Sequence, residues 1–361
     1  MRGLLVGMCL LAAAPASAQS SVTQPDDAAE ARQGPSVQFR GFADINFAAT
    51  DNHLSDDGRS ADGFSLGNVV GHVSASLGGK FSFYSEVTVN NKDNKFIVDV
   101  ARAILRYDYN DRFKVSVGRY HAPIGYWNTA YHRGLWLQTT IFRPDLVKEE
   151  WFQPDHFVGI VAEGTLLPQV GLGYITGYGN GRELDLRDQG LQAADLFGDT
   201  ENVGHHRAGV LRLFARPPQV TGVEFGGAVY HDKLASTGTN GVPELITSAY
   251  VAITREAPEI IAEFSNLRHT YYGVDYNSQA FYVQLGFRFP AQPRLKPYTR
   301  YEKADAPGDE PVTGDLSNSK ASAGIRFELT DFATVKVEYG QRRHPGAPHQ
   351  NGVFAQTAFT F

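Results

Sequence analysis

The chain has 361 residues, a net charge of −6 and no run of basic residues, which argues against nucleic acid as a partner. Its one cysteine, Cys9, lies in the N-terminal apolar stretch, so a disulfide scaffold and thiol catalysis are excluded. Mean hydropathy is slightly negative, and beyond the N-terminus no apolar run approaches the ~18 residues of a membrane helix. A membrane β-barrel stays open, because only every second residue of its strands must be apolar.

The N-terminus reads as an export signal. Arg2 precedes an apolar run from Leu4 to Ala14, and Ala16-Ser17-Ala18 supplies a small-residue cleavage site after Ala18. Residues 19–36 are polar, short and aperiodic. They predict a flexible periplasmic tail, too short for the plug of an active transporter.

From residue 37 onward the chain alternates. In FADINFA, Ala43, Ile45 and Phe47 face one way, and Asp44 and Asn46 the other. In ARAILRYDY, Ala101, Ala103, Leu105 and Tyr107 oppose Arg102, Arg106 and Asp108. The same period of two predicts sixteen strands. They fall at 37–49, 64–78, 80–90, 96–109, 112–120, 156–166, 170–179 and 205–216, then at 220–231, 244–256, 259–268, 279–289, 295–304, 320–330, 333–343 and 353–361.

Tight turns such as Gly78-Gly79, NDR, REAPE and LTDF alternate with mostly longer polar connections. An even number of strands, short turns on one side and long loops on the other predict an all-β fold. It is a transmembrane antiparallel up-and-down barrel spanning 37–361 in the outer membrane. A soluble sandwich would need two domains, yet no linker divides the chain; a solenoid would need a fixed repeat. Tyr107, Tyr109, Phe113, Phe287, Phe289, Phe327, Phe332, Phe359 and Phe361 collect beside the short turns, as a periplasmic aromatic girdle would.

The end of the chain, GVFAQTAFTF, resembles the C-terminal signature of bacterial outer-membrane barrels. That resemblance implies that Phe359 and Phe361 form an assembly signal read by the barrel assembly machinery, that the last strand closes on the first, and that lipid covers the phenylalanine. The third long connection, YHAPIGYWNTAYHRGLWLQTTIFRPDLVKEEWFQPDH, holds all three tryptophans. It resembles the inward-folded third loop of sixteen-stranded porins. The preceding GRYHAPIG, with Gly118, Arg119, Pro123 and Gly125, is similar to a stretch of the phosphate-selective porin O/P type. The resemblance implies a homotrimer that passes small polar or anionic solutes. The constriction loop would use Tyr126, Trp127, His132, Arg133, Trp136, Arg143, Asp145, Glu149 and Glu150.

By facing, the lumen carries Arg40, Arg102, Arg106, Lys114, Arg212, Arg288, Lys296, Arg300, Arg326 and Lys336. It also carries Asp44, Glu86, Glu163, Glu224, Glu263, Glu302, Glu328 and Glu338. Of these, Arg102, Arg106, Arg288, Arg300, Arg326 and Lys336 are the expected pore-lining cations, the last four as a basic stripe. A mixed wall also reads as salt bridges that stiffen the barrel. No lysine-rich loop cluster marks a dedicated phosphate site. An enzyme would need a Ser/His pair or clustered rim acids; none stands out. No cofactor motif and no metal site is expected. Asp195, Asp199, Glu201, His205 and His206 in the fourth long loop could bind a divalent ion, but the ordinary reading is a solvated acidic loop. The alternative to a porin is a structural or adhesive barrel.

Overall fold

The computed structural model describes residues 36–51, 62–92, 95–132, 136–148, 152–187, 190–195, 206–234, 241–314 and 316–361. The expected signal and most of the tail, together with Cys9, Arg133, Glu149, Glu150, Trp151, Asp199, Glu201 and His205, lie outside the described residues. No helix among the described residues is long and apolar enough to cross a membrane.

The first seven strands are β1 (Ser36–Thr50), β2 (Gly63–Gly78), β3 (Phe81–Lys92), β4 (Lys95–Asn110), β5 (Phe113–His121), β6 (His156–Leu167) and β7 (Leu172–Asn180). A two-stranded hairpin follows, β8 (Arg182–Arg187) and β9 (Gly190–Asp195). Then come β10 (Arg207–Ala215), β11 (Val223–Leu234), β12 (Val242–Thr254), β13 (Glu259–Tyr271) and β14 (Val274–Gly286). The last four are β15 (Leu295–Asp305), β16 (Asn318–Thr330), β17 (Ala333–Arg343) and β18 (Gln350–Thr360).

Sixteen of these strands close one antiparallel barrel, in which each pairs with its barrel neighbours and β18 returns to β1. All sixteen predicted segments are found, with ends shifted by a few residues. The hairpin was not expected: it rises from the polar connection between β7 and β10.

The alternation is inverted relative to a soluble protein. Along β15, Lys296, Tyr298, Arg300, Glu302 and Ala304 are buried, while Thr299, Tyr301 and Lys303 face out. Along β10, Arg212 is buried between exposed Leu211 and Leu213. An apolar outer belt this extensive would be an aggregation hazard in water and is the natural surface against lipid. Closure also removes unpaired edges, which hydrocarbon cannot hydrogen-bond.

The aromatics beside the short turns are exposed or partly exposed and touch in pairs: Phe81 with Tyr107 at 4.9 Å between ring centroids, Phe287 with Phe289 at 5.3 Å, and Phe359 with Phe361 at 6.3 Å. Phe361 extends the seam by one residue. Its amide donates to Gly41 O at 3.0 Å, and its carbonyl accepts from Gly41 N at 2.8 Å. The ring is 70% exposed and lies across Gly41, where a Cβ would meet it at 2.3 Å. A side chain at position 41 would push the ring out of this place.

Candidate functional site: the loop inside the barrel

The segment between β5 and β6 does not wave in water. Tyr126, Trp127 and Tyr131 are buried within one apolar cluster with wall residues of β10 to β15, including Val210, Tyr250, Ile261 and Tyr282. Trp127 sits at 1% exposure, 4.9 Å from Tyr131 and 6.1 Å from Tyr282. Further along, Phe142 packs edge-on against Phe354 of β18 at 4.7 Å. Trp136 stacks on Phe42 of β1 at 6.4 Å and is half-buried. Burying these rings removes the exposed patch that the loop's aromatic content would otherwise create.

A loop inside a barrel must satisfy its backbone without a ladder. The wall supplies the partners. Glu263 on β13 accepts the amides of Tyr126 at 2.8 Å and Trp127 at 2.7 Å, and the Tyr282 hydroxyl at 2.5 Å. Those amides open the one-turn helix α1 (Trp127–Ala130). Gly125 precedes it with φ +68°, and a Cβ there would lie 2.1 Å from Glu263 Oε2. Both the turn and the carboxylate's approach therefore require glycine.

The same pattern continues around the wall. Arg212 on β10 donates to Thr129 Oγ1 at 2.8 Å and pairs with Glu224 at 2.8 Å. Arg300 on β15 donates to Thr140 Oγ1 at 2.9 Å and Phe142 O at 2.8 Å, while its Nε holds Glu302 at 2.8 Å. Glu302 in turn accepts the Asp145 amide at 2.6 Å. Arg326 on β16 donates to Trp136 O at 2.7 Å and Gln138 O at 2.8 Å. Lys336 on β17 donates to Thr140 O at 3.0 Å, and Glu338 accepts the Ile141 amide at 3.0 Å. Arg342 holds the Asp145 carboxylate at 2.9 Å. Buried charges are tolerated when paired and hydrogen-bonded; here loop backbone groups supply many of the partners.

The expected pore-lining residues therefore have different surroundings. Arg300, Arg326 and Lys336 face inward, buried under the loop. Arg288 lies two residues past the end of β14, in a short turn, where it pairs with Glu256 at 2.7 Å and Glu328 at 3.0 Å. The four do not form one stripe open to water. Arg102 on β4 bonds Glu86 at 2.8 Å and the Tyr84 hydroxyl at 2.7 Å. Arg106 pairs with Asp108 at 2.5 Å and Glu163 at 2.9 Å, with its side chain 11% exposed.

Within the loop, Arg143 reaches Asp155 at 3.3 Å and Val147 O at 3.3 Å. Asp145 opens a single 3-10 turn over Asp145–Val147. His132 lies beside His121 and His156, a cluster that motif reading missed although His121 and His156 flank the loop. On the opposite wall, His72, Tyr84, Asp99, Lys114, Arg119 and Glu163 are partly exposed. Lys114 and Glu163 face each other across β5 and β6.

No protein-family model matches the chain, and no curated protein matches it. Solved structures do. It is similar to an anion-selective porin from Comamonas acidovorans, with TM-score 0.62 and 12% identity over 91% of this chain and 100% of that one. It is similar to the outer membrane channel DcaP of Acinetobacter baumannii, with TM-score 0.62 and 12% identity over 91% and 98%. OmpT, an outer membrane protein of Vibrio cholerae in a trimer form, aligns with TM-score 0.60 and 12% identity over 91% and 100%. At such identities the likeness establishes the fold: the chain is a sixteen-stranded barrel of the porin architecture.

Proposed function

We propose that the chain is a passive outer-membrane channel for small polar solutes, anions among them, narrowed by the loop between β5 and β6. One observation carries the reading. The loop is bonded to the β10–β17 side of the interior, whereas the β2–β6 side keeps charged and polar groups partly open to water. A loop fixed to one wall leaves passage along the other. Lys114, Arg106 and Arg119 face Glu163 and Asp99 there, so opposing charges line the path and ion selectivity is weak. No step needs a catalyst, a cofactor or a nucleotide.

The porin architecture and the trimer form of one structural neighbour support assembly as a homotrimer. The final strand is the segment offered to the assembly machinery, with Phe359 and Phe361 toward lipid. Purified protein in a planar bilayer under a salt gradient tests the channel. Ohmic single-channel steps are expected, and a silent bilayer containing folded barrel overturns the reading.

A further inference from the structure

Three histidines meet at the base of the loop. His121 ends β5, His156 begins β6, and the two are paired in register. His132 follows α1 by two residues and returns to them. One ring nitrogen from each lies within 4.8 Å of the other two, and all three side chains are buried. The His121 and His132 ring centroids are 3.7 Å apart, and those of His132 and His156 are 4.9 Å apart.

The surroundings fix the cluster. Asn128 donates its side-chain amide to Ala122 O at 3.0 Å and Asp155 O at 3.1 Å, which ties both ends of the loop together. That leaves Asn128 Oδ1 to accept from His132 Nδ1 at 2.6 Å. With Nδ1 carrying the proton, the lone pair of His132 is on Nε2. Behind His121, Glu86 Oε1 lies 3.6 Å from Nε2, the place of a carboxylate that steadies a ligating imidazole. Glu86 also pairs with Arg102, which offsets that nearby positive charge.

We propose that His121, His132 and His156 form a site for a divalent transition metal, zinc, cobalt, nickel or copper, that clips the loop to its own base. Three imidazoles select these ions over magnesium and calcium, which favour oxygen. Metal–nitrogen bonds of about 2.0–2.1 Å place tetrahedral ligands about 3.3 Å apart, within reach of small ring rotations from the spacing seen. Three imidazoles that converge on one buried point offer a cation three nitrogen donors. The site stands on the loop base and holds whether or not the barrel conducts.

The test uses tag-free full-length protein, folded in detergent and stripped with a chelator, with cobalt as the probe. One Co²⁺ per chain is expected, with the visible absorption of low-coordinate cobalt and displacement by Zn²⁺. His132→Gln and His156→Gln should each weaken binding at least about tenfold, with heat-modifiable gel mobility checking that the barrel is folded. Zinc-edge absorption of the Zn²⁺-loaded wild type needs no variant and should report nitrogen ligands at about 2.0–2.1 Å. Folded wild type that takes up no stoichiometric cobalt, a zinc shell made of oxygen donors, or folded variants that bind as well as wild type would each overturn the site.

Discussion

Arg300 on β15 and Arg106 on β4 both point into the barrel, and both are paired with carboxylates. Arg300 is sealed under the loop and divides its donors between Glu302 and three loop residues, Thr140, Phe142 and Arg143. Arg106 meets Asp108 and Glu163, and the latter is 19% exposed. The difference generalises to the two walls. From β10 to β17, Arg212, Glu263, Arg300, Glu302, Arg326, Lys336, Glu338 and Arg342 bond the loop and are buried. From β2 to β6 they bond one another, and Arg106, Lys114, Arg119, Asp99 and Glu163 stay partly open to water while Glu86 and Arg102 are buried. The same side-chain chemistry serves as scaffold on one wall and, in the proposed channel, as its lining on the other, and what decides between them is where the loop lies.

The largest effect should come from breaking the contrast outright. Deleting the loop section from Asn128 to Thr140 removes much of the partner set of the sealed wall. Single-channel conductance should rise several-fold, and larger neutral sugars should enter in a liposome-swelling assay. A folded deletion variant with unchanged conductance and sieving would place the narrowest point elsewhere.

The contrast sharpens at single residues. Arg300→Ala leaves buried Glu302 without its closest cation and should cost about 3–5 kcal/mol. Arg106→Ala, on the wetter wall, should cost about 1 kcal/mol or less. Urea unfolding of the two variants in the same detergent compares them directly, and equal losses would dissolve the distinction.

Ion preference should respond in the opposite order. Neutralising Arg106 and Lys114 together to Gln should move the reversal potential toward cations, because their charges act on a wet, confined path. Neutralising Lys336 to Met should leave the reversal potential almost where it was, since that charge is enclosed by Thr140 and Gln356.

The smallest effect concerns the turn joining β12 to β13 at the edge of the sealed wall. Burial pushes the Glu256 carboxyl up, but Lys296 and Arg288 outweigh it and hold it below the usual carboxylate range. Its contribution to stability is therefore present above the ordinary carboxylate pKa and lost as pH falls through the depressed folded value. Glu256→Gln should flatten the acid limb of the stability profile slightly and leave stability near pH 7 less affected by further acidification than in wild type.

The barrel was largely legible in the sequence because lipid on one face and polar contacts on the other impose a period of two on every strand. Tyr301 out and Arg300 in is a local statement, visible without knowing any partner. The hairpin β8–β9 carries the same signal in Leu184 and Leu186 against Glu183 and Asp185, but it is six residues a side and sits in a polar connection. It covers the loop-side ends of the wall, where Leu184 and Ala193 pack with Leu234, Val242 and Val312. The anchors of the inner loop were not legible. Glu263 and Tyr126 are 137 residues apart, and nothing local to either announces the bond. Facing placed Arg326 and Lys336 inward correctly, yet could not say that a loop carbonyl rather than a solute would meet them.

The seam between β1 and β18 has a consequence for the order of folding. Each other barrel strand bonds the next barrel strand in the chain, with the connection that carries the hairpin between β7 and β10. Those pairings are local and cheap in chain entropy. The seam joins Phe42 to Thr360, so a loop of nearly the whole barrel must close at once. Closure entropy grows only logarithmically with length, so the long span is a modest thermodynamic burden. Kinetically it is the most distant of the barrel's strand pairings, and long-range pairing is slow. Until it happens, the curling sheet has two open edges that any other strand could extend. Gly41 and the phenylalanine lying across it stand where the last gap shuts, so the chain's most vulnerable interval ends at that pair.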